Sequence, residues 1–174
     1  MFKRILIITF TFLLYCNQTI SNELKIVYVD VDMIINTSNA GKMVTKQLED
    51  LNKKNIKIFK EKEAKLANEE KNLIKQKNIL SKEEFQKKIK TLQDKIRKYK
   101  KDINIARNEL DKKRIGGTTK ILDVLNPILS EYSSKNSISL IIQKKNIVIG
   151  QSQLDITKTI LELVNKKIKT VKLN

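Results

Sequence analysis

The stretch FQKKIKTLQDKIRKYKKDINIARNEL, Phe85 to Leu110, decides the fold. Its apolar residues fall at Phe85, Ile89, Leu92, Ile96, Tyr99, Ile103, Ala106 and Leu110, in alternating steps of four and three. That spacing keeps one apolar seam on one helix face, which is what packing against a second helix requires. Just upstream stands Ser81-Lys82-Glu83-Glu84, the pattern of a capping box. There the Ser81 hydroxyl can accept from the Glu84 amide while the Glu84 carboxylate accepts from the Ser81 amide. A helix start inside a long polar stretch marks a turn, so the expected partner is the segment just before it.

A turn centred on Ser81 makes facing residues of an antiparallel hairpin sum to about 162. Upstream, Phe59, Leu66, Leu73 and Leu80 recur at intervals of seven, and face Ile103, Ile96, Ile89 and Lys82. All but the last of these pairs are apolar on both sides, so the two halves read as one coiled-coil hairpin. At about 1.5 Å per residue, an arm of some 35 residues reaches roughly 50 Å. The seam is thin, however. Lys62, Glu63, Glu69, Glu70 and Gln76 stand where a tight coil would place leucine or isoleucine. Phe85, Leu92 and Tyr99 thus face polar stems or stay partly exposed, and with Phe59 they are the candidate binding residues of the arm. Two readings stay open: lysine stems covering the stripe, or spare apolar surface kept for a client.

The chain opens with Lys3 and Arg4, an apolar run from Ile5 to Tyr15, and small residues at Thr19 and Ser21. This is the layout of a cleavable secretory signal, residues 1–21. The run is too short for a comfortable membrane span of about 20 residues. A lipoprotein signal with Cys16 lipidated is the rival, opposed by the bulky Tyr15 before it; an uncleaved anchor is the third choice. Loss of Cys16 with the signal leaves an exported chain with no thiol, stabilised by packing and self-association rather than disulfides.

The remaining ends read as an α+β body, residues 22–40 and 118–174, with the hairpin arm occupying 41–117. Leu24 to Asp30 alternates and is rich in β-branched residues, a first strand. Ser139–Gln143 and Ile147–Ile149 read as a second and third strand joined by Lys144-Lys145-Asn146, ended by Gly150. Ser152–Asp155 looks like the start of a final helix whose apolar face is Ile156, Ile160, Leu163, Val164 and Ile168. A short helix over Val31–Asn36, with Thr37 or Ser38 as a cap, links the first strand to the arm. Three strands and one helix bury too little surface to stand alone, so the body is expected to pair with copies of itself.

The formal net charge is +17, or +15 once Lys3 and Arg4 leave. Along the hairpin basic residues outnumber acidic ones about two to one. Nucleic acid is the usual inference from such a balance, but export and the absence of tryptophan oppose it. Anionic lipid and acidic unfolded polypeptide fit an exported chain better. With no histidine and no cysteine outside the signal, the commonest zinc ligands and nucleophile–base pairs are missing, and no enzyme, metal or cofactor is expected. Gly116-Gly117, inside a helical pattern, costs about 1 kcal/mol per glycine relative to alanine. It reads either as close packing or as a hinge where arm meets body. Pro127 should kink the same helix, since it removes an amide donor.

This layout resembles the Skp/OmpH family. The residues that carry the likeness are Val27-Tyr28-Val29-Asp30, the basic hairpin, Leu140-Ile141-Ile142 and Asp155-Ile156-Thr157. The resemblance implies a periplasmic holdase chaperone, working without ATP, with no catalytic residues. It implies a homotrimer in which three hairpins hang like tentacles from a small β body and hold unfolded outer-membrane β-barrel proteins between them. Lipopolysaccharide is a further partner that it raises, with no motif to place its site. The alternatives are an exported coiled-coil adaptor, or an envelope protein that binds anionic surfaces.

Overall fold

A computed structural model describes residues 24–173 of the chain. The expected signal segment, with Cys16, lies outside the described residues. Strand β1 (Ile26–Val29) pairs in parallel with β2 (Leu140–Gln143), Val27 against Ile141 and Tyr28 against Ile142. Parallel neighbours cannot be joined by a tight turn. The connection here is the whole helical excursion between them. On the other edge of β1, the Ile156 amide donates to the Tyr28 carbonyl at 2.9 Å, and Tyr28 bridges Asp155. β1 is therefore central, and Val27, Tyr28 and Val29 are all buried.

Helix α1 (Val31–Thr37) starts at Asp30, whose carboxylate accepts from the Met33 amide at 2.8 Å. Ser38 then caps α2 (Asn39–Lys75) by accepting from the Gly41 amide at 3.1 Å, with its own side chain fully buried. Two caps placed back to back let the chain change direction without leaving amides unpaired. Gly41 allows the corner: a Cβ there would sit 1.8 Å from the Ile35 carbonyl oxygen.

After the turn, α3 (Lys82–Lys135) begins with the full capping box at Ser81 and Glu84. The two long helices fold back on one another. Lys62 meets Asp102 at 3.0 Å, Glu69 meets Lys95 at 2.6 Å and Gln76 meets Lys88 at 2.9 Å. Numbers rise along α2 as they fall along α3, and each pair sums to 164. The polar pairs thus centre on Lys82, one residue beyond the expected centre. Helix α4 (Thr157–Lys167) closes the body, burying Ile160 and Val164 against Val29, Ile34, Ile121, Leu125 and Ile138. Ile168 and Val171 follow it into the same cluster.

Three expectations need correction or refinement. The third strand, Ile147–Ile149, does not form among the described residues: Lys144–Asn146 is a 3-10 turn, and Val148 and Ile149 are 98% and 91% exposed. The loop lacks the glycine that favours a tight reversal, and the free edge of β1 is taken by Asp155 and Ile156. The body therefore contributes two strands per chain, not three. The last helix starts at Thr157, because Ser152–Leu154 forms a separate 3-10 turn. Finally, α3 runs without a break through Gly116, Gly117 and Pro127. Gly117 is a close-packing position, where a Cβ would lie 2.8 Å from Val44 and 3.0 Å from Leu173, while Gly116 faces open space.

Candidate functional site

The candidate site is the seam of the arm. Its expected members on α3, from Phe85 through Leu110, are all partly covered, as are Phe59, Leu66, Leu73 and Leu80 upstream. None is fully buried. Between Val44 and Gly117 no residue of either helix leaves solvent completely, whereas the body encloses a continuous core. The polar residues standing at seam positions explain the contrast. A lysine or glutamate can lay its stem beside an apolar neighbour but keeps its charged head in water, so the seam cannot close.

Of the four candidate residues, the fold brings two together. Phe59 and Tyr99 meet edge to face, 6.1 Å between ring centres at 71°. The Lys62 ammonium lies 5.7 Å from the centre of the Phe59 ring, close enough for a cation–π contact worth about 0.5–1 kcal/mol at an exposed site. These rings, with Ile56, Ile103, Ala106 and Leu110, line a groove of about 480 Å³ whose rim carries Lys60, Glu63 and Arg107. Leu92 lies nearer the turn in a shallower cleft of about 270 Å³ with Leu73. Phe85 stands apart from both, on the first turn of α3 after the Ser81 cap. The four residues share a seam without forming one pocket.

Sequence spacing missed the apolar residues that lie off the seam. Ile56, Ile58, Ile105 and Ile115 are all exposed. Nothing in the three–four rhythm picks them out, because that rhythm finds only the face turned inward. An apolar residue out of phase in a long polar helix is the signal that could have found them.

Part of the charge on the arm is held in exposed pairs. Besides the cross-helix contacts, Arg97 with Asp94 and Arg114 with Asp111 bridge successive turns of α3. Exposed pairs of this kind contribute little to stability. Hydrogen bonds from the Ser81 hydroxyl and amide hold the Glu84 carboxyl below its ordinary range.

In the body, Asp155 is held by two donors. Asp155 accepts from Lys144 at 2.9 Å and from the Thr157 amide at 2.9 Å. Burial pushes its carboxyl up, but the hydrogen bonds from Lys144 and Thr157 outweigh this and hold it below its usual value. A carboxyl lowered on folding adds stability above its unfolded pKa of about 3.9, and that stability is lost as pH falls through the folded value. Asp155→Asn should therefore be less stable than wild type by a constant margin between pH 7 and 5. The margin should shrink below about pH 4, as urea midpoints will show. A margin unchanged down to pH 2 would mean that the contact acts by shape and not by charge.

Comparison with known proteins adds three findings. The profile of the family described as outer membrane protein (OmpH-like) matches residues 25–164. No curated protein matches the sequence. A crystal structure from Caulobacter crescentus CB15, of a protein described as an outer membrane chaperone (OmpH-like), has the same fold. It superposes with a TM-score of 0.80 at 16% identity, over 87% of this chain and 89% of that one.

Proposed function

The chain belongs to the OmpH-like family, and from that membership and the open seam we propose that it is a periplasmic holdase chaperone. It binds unfolded outer-membrane β-barrel proteins along its helical arms, prevents their aggregation and uses no ATP. One observation carries the reading. Some seventy residues of paired helix contain no fully buried side chain, while Ile56, Ile58, Ile105 and Ile115 lie exposed among lysines. Single exposed apolar residues are common on any surface, but here they accompany a groove between the helices, lined by Phe59, Tyr99, Ile103 and Leu110, that the pair itself leaves open. Such a run of weak apolar contacts suits an extended chain, because it holds many sequences without selecting one.

The body supports self-association into a trimer. A two-stranded sheet is too small to be stable in isolation, and Leu140 on β2 is exposed together with Val148 and Ile149. Copies that pair at this edge would cover those side chains and give the segment after β2 the strand partner it lacks within one chain. An N-terminal export signal at residues 1–21 would place the assembly in the periplasm, where the clients pass unfolded.

The direct test dilutes a urea-unfolded β-barrel protein into buffer with and without residues 22–174 and follows light scattering, alongside sedimentation equilibrium. Suppressed aggregation by a species of about three times the chain mass is expected. A stable folded monomer, or scattering unchanged at molar excess, would overturn the corresponding half of the proposal.

A further inference from the structure

The segment that follows α4, residues 168–173, has no regular secondary structure, yet it is tied to both helices of the arm. Ile168 and Val171 enter the core cluster, and Leu173 packs against it. On the α2 side, the Gln47 amide uses both of its ends. Its nitrogen donates to the Val171 carbonyl at 2.7 Å, and its oxygen accepts from the Leu173 amide at 3.1 Å. A further bond from the same nitrogen, to the Met43 carbonyl at 3.1 Å, holds the side chain to its own helix. On the α3 side, the Lys120 ammonium donates to the Lys172 carbonyl at 2.8 Å. Between these anchors Leu173 lies on Gly117, where a Cβ would come within 3.0 Å of it. Leu173 also lines a cleft of about 230 Å³ with Gly116 and with Lys112 and Glu109, one and two turns before that glycine.

This segment crosses the arm where the core of the body ends, since Val44 is the last buried residue of α2 and Gly117 the first of α3. Paired glycines are weak points at which helices bend, yet α3 is unbroken there. We propose that residues 168–173 form a releasable strap that splints α3 across Gly116-Gly117, with Gln47 as the positioning residue that holds the strap in place. With the strap on, the arm continues the line of α3 out of the body. With it off, the glycines are free to bend and the arm changes direction at its root. The strap is suited to letting go. Gln47 is only half-buried and Lys120 is exposed, and an irregular segment held by a few such bonds opens locally at lower cost than the core unfolds. No client enters this argument, so its test stands apart from the chaperone reading.

Hydrogen exchange of residues 22–174, together with spin-label distances, tests the strap. Lys100→Cys on the arm and Glu162→Cys on α4 supply the label sites, because both positions are exposed and residues 22–174 contain no cysteine. Labelled chains diluted among unlabelled ones report distances within one chain. Gln47→Leu keeps the bulk of the side chain and removes both bonds to the strap. At roughly fivefold per hydrogen bond, exchange at amides 116–120 should quicken about 25-fold, and the label distances should broaden. Leu173→Ser should act in the same direction, by about tenfold. Gly116→Ala added to Gln47→Leu should narrow the distances again and slow exchange about fivefold, because its methyl meets nothing within 4 Å and stiffens the helix. Gln93→Leu, exposed on the arm far from the strap, should change neither. Exchange at residues 26–29 of β1 should stay as in the parent, which separates release of the strap from loosening of the body. The proposal is overturned if Gln47→Leu leaves amides 116–120 and the distances unchanged. It is equally overturned if β1 quickens as much as the glycines, which would make the segment only a part of the core, or if Gly116→Ala fails to restore the distances, which would place the bend elsewhere.

Discussion

A variant lacking residues 55–68 of α2 and 96–109 of α3 should fold, assemble and melt like the parent, yet fail to keep an unfolded β-barrel protein in solution. The two excisions face each other in the register set by Lys62 with Asp102 and Glu69 with Lys95. Each removes about four turns, two full heptads, so the seam of the remaining arm stays in phase. The cut takes away Phe59, Tyr99, Ile103 and the groove that they line, together with the exposed Ile56, Ile58 and Ile105. It leaves the turn, the capping box and every residue of the core cluster. The expected readout is at least a tenfold rise in the concentration needed to halve aggregation. A shortened protein that protects as well as the full arm would move client binding to the body. Loss of assembly would show that the arms also hold the copies together, contrary to the placement of the exposed β2 edge.

The largest effect on stability is expected from Gly41→Ala. A methyl group there would lie 1.8 Å from the Ile35 carbonyl oxygen and 2.9 Å from its carbon. Backbone atoms cannot rotate away as a side chain can. Either α1 or the first turn of α2 must move, and with it the buried Ser38 cap and the packing of Ile34 and Ala40. Overpacking in a well-filled site costs about 1–3 kcal/mol and more where backbone must shift, so a loss of at least about 3 kcal/mol is expected, a large share of the total for a small domain. Gly116→Ala is the opposite case. With nothing within 4 Å of the added methyl, it should stabilise by about 1 kcal/mol through helix propensity alone. Gly117→Ala should fall between, since the obstructing atoms belong to Val44 and Leu173 side chains. Urea denaturation of the three variants decides the order. A hinge at this point would add a separate signature: Gly116→Ala would hold clients less well while being more stable.

Much of the helical architecture was legible because its causes are local. Steps of three and four place Phe85 to Leu110 on one face whatever surrounds them, and Ser81 with Glu84 closes a box within four residues. Val31–Thr37 and the cap at Ser38 were readable for the same reason. The candidate site was legible only in part. Spacing found the inward seam, but that Phe59 meets Tyr99 across it, and that Phe85 and Leu92 lie apart from both, depends on helix register, which the side chains of both helices set together.

The strands were decided by tertiary structure. Leu140–Gln143 and Ile147–Ile149 look alike in sequence, both short and β-branched. A strand, however, exists only through its neighbour's hydrogen bonds. β1 has two edges, one taken by β2 and the other by the Tyr28 carbonyl's bond to the Ile156 amide. With both edges filled, Ile147–Ile149 has no strand partner among the described residues, and Val148 and Ile149 stand in solvent. The glycines divide in the same way. Composition marks Gly116 and Gly117 equally, but only packing makes one a contact with Val44 and Leu173 and leaves the other open. By itself the sequence determined which long segments are helices and where the capped ones start, at Asp30, Ser38 and Ser81, because caps and periodicity act over a few residues; the last helix, which has no side-chain cap, starts at Thr157 and not at Ser152. Which strands pair, which glycines are required and which side chains meet across the arm was decided by the tertiary structure, because each depends on surfaces brought from other elements, more than a hundred residues away in the case of the strands.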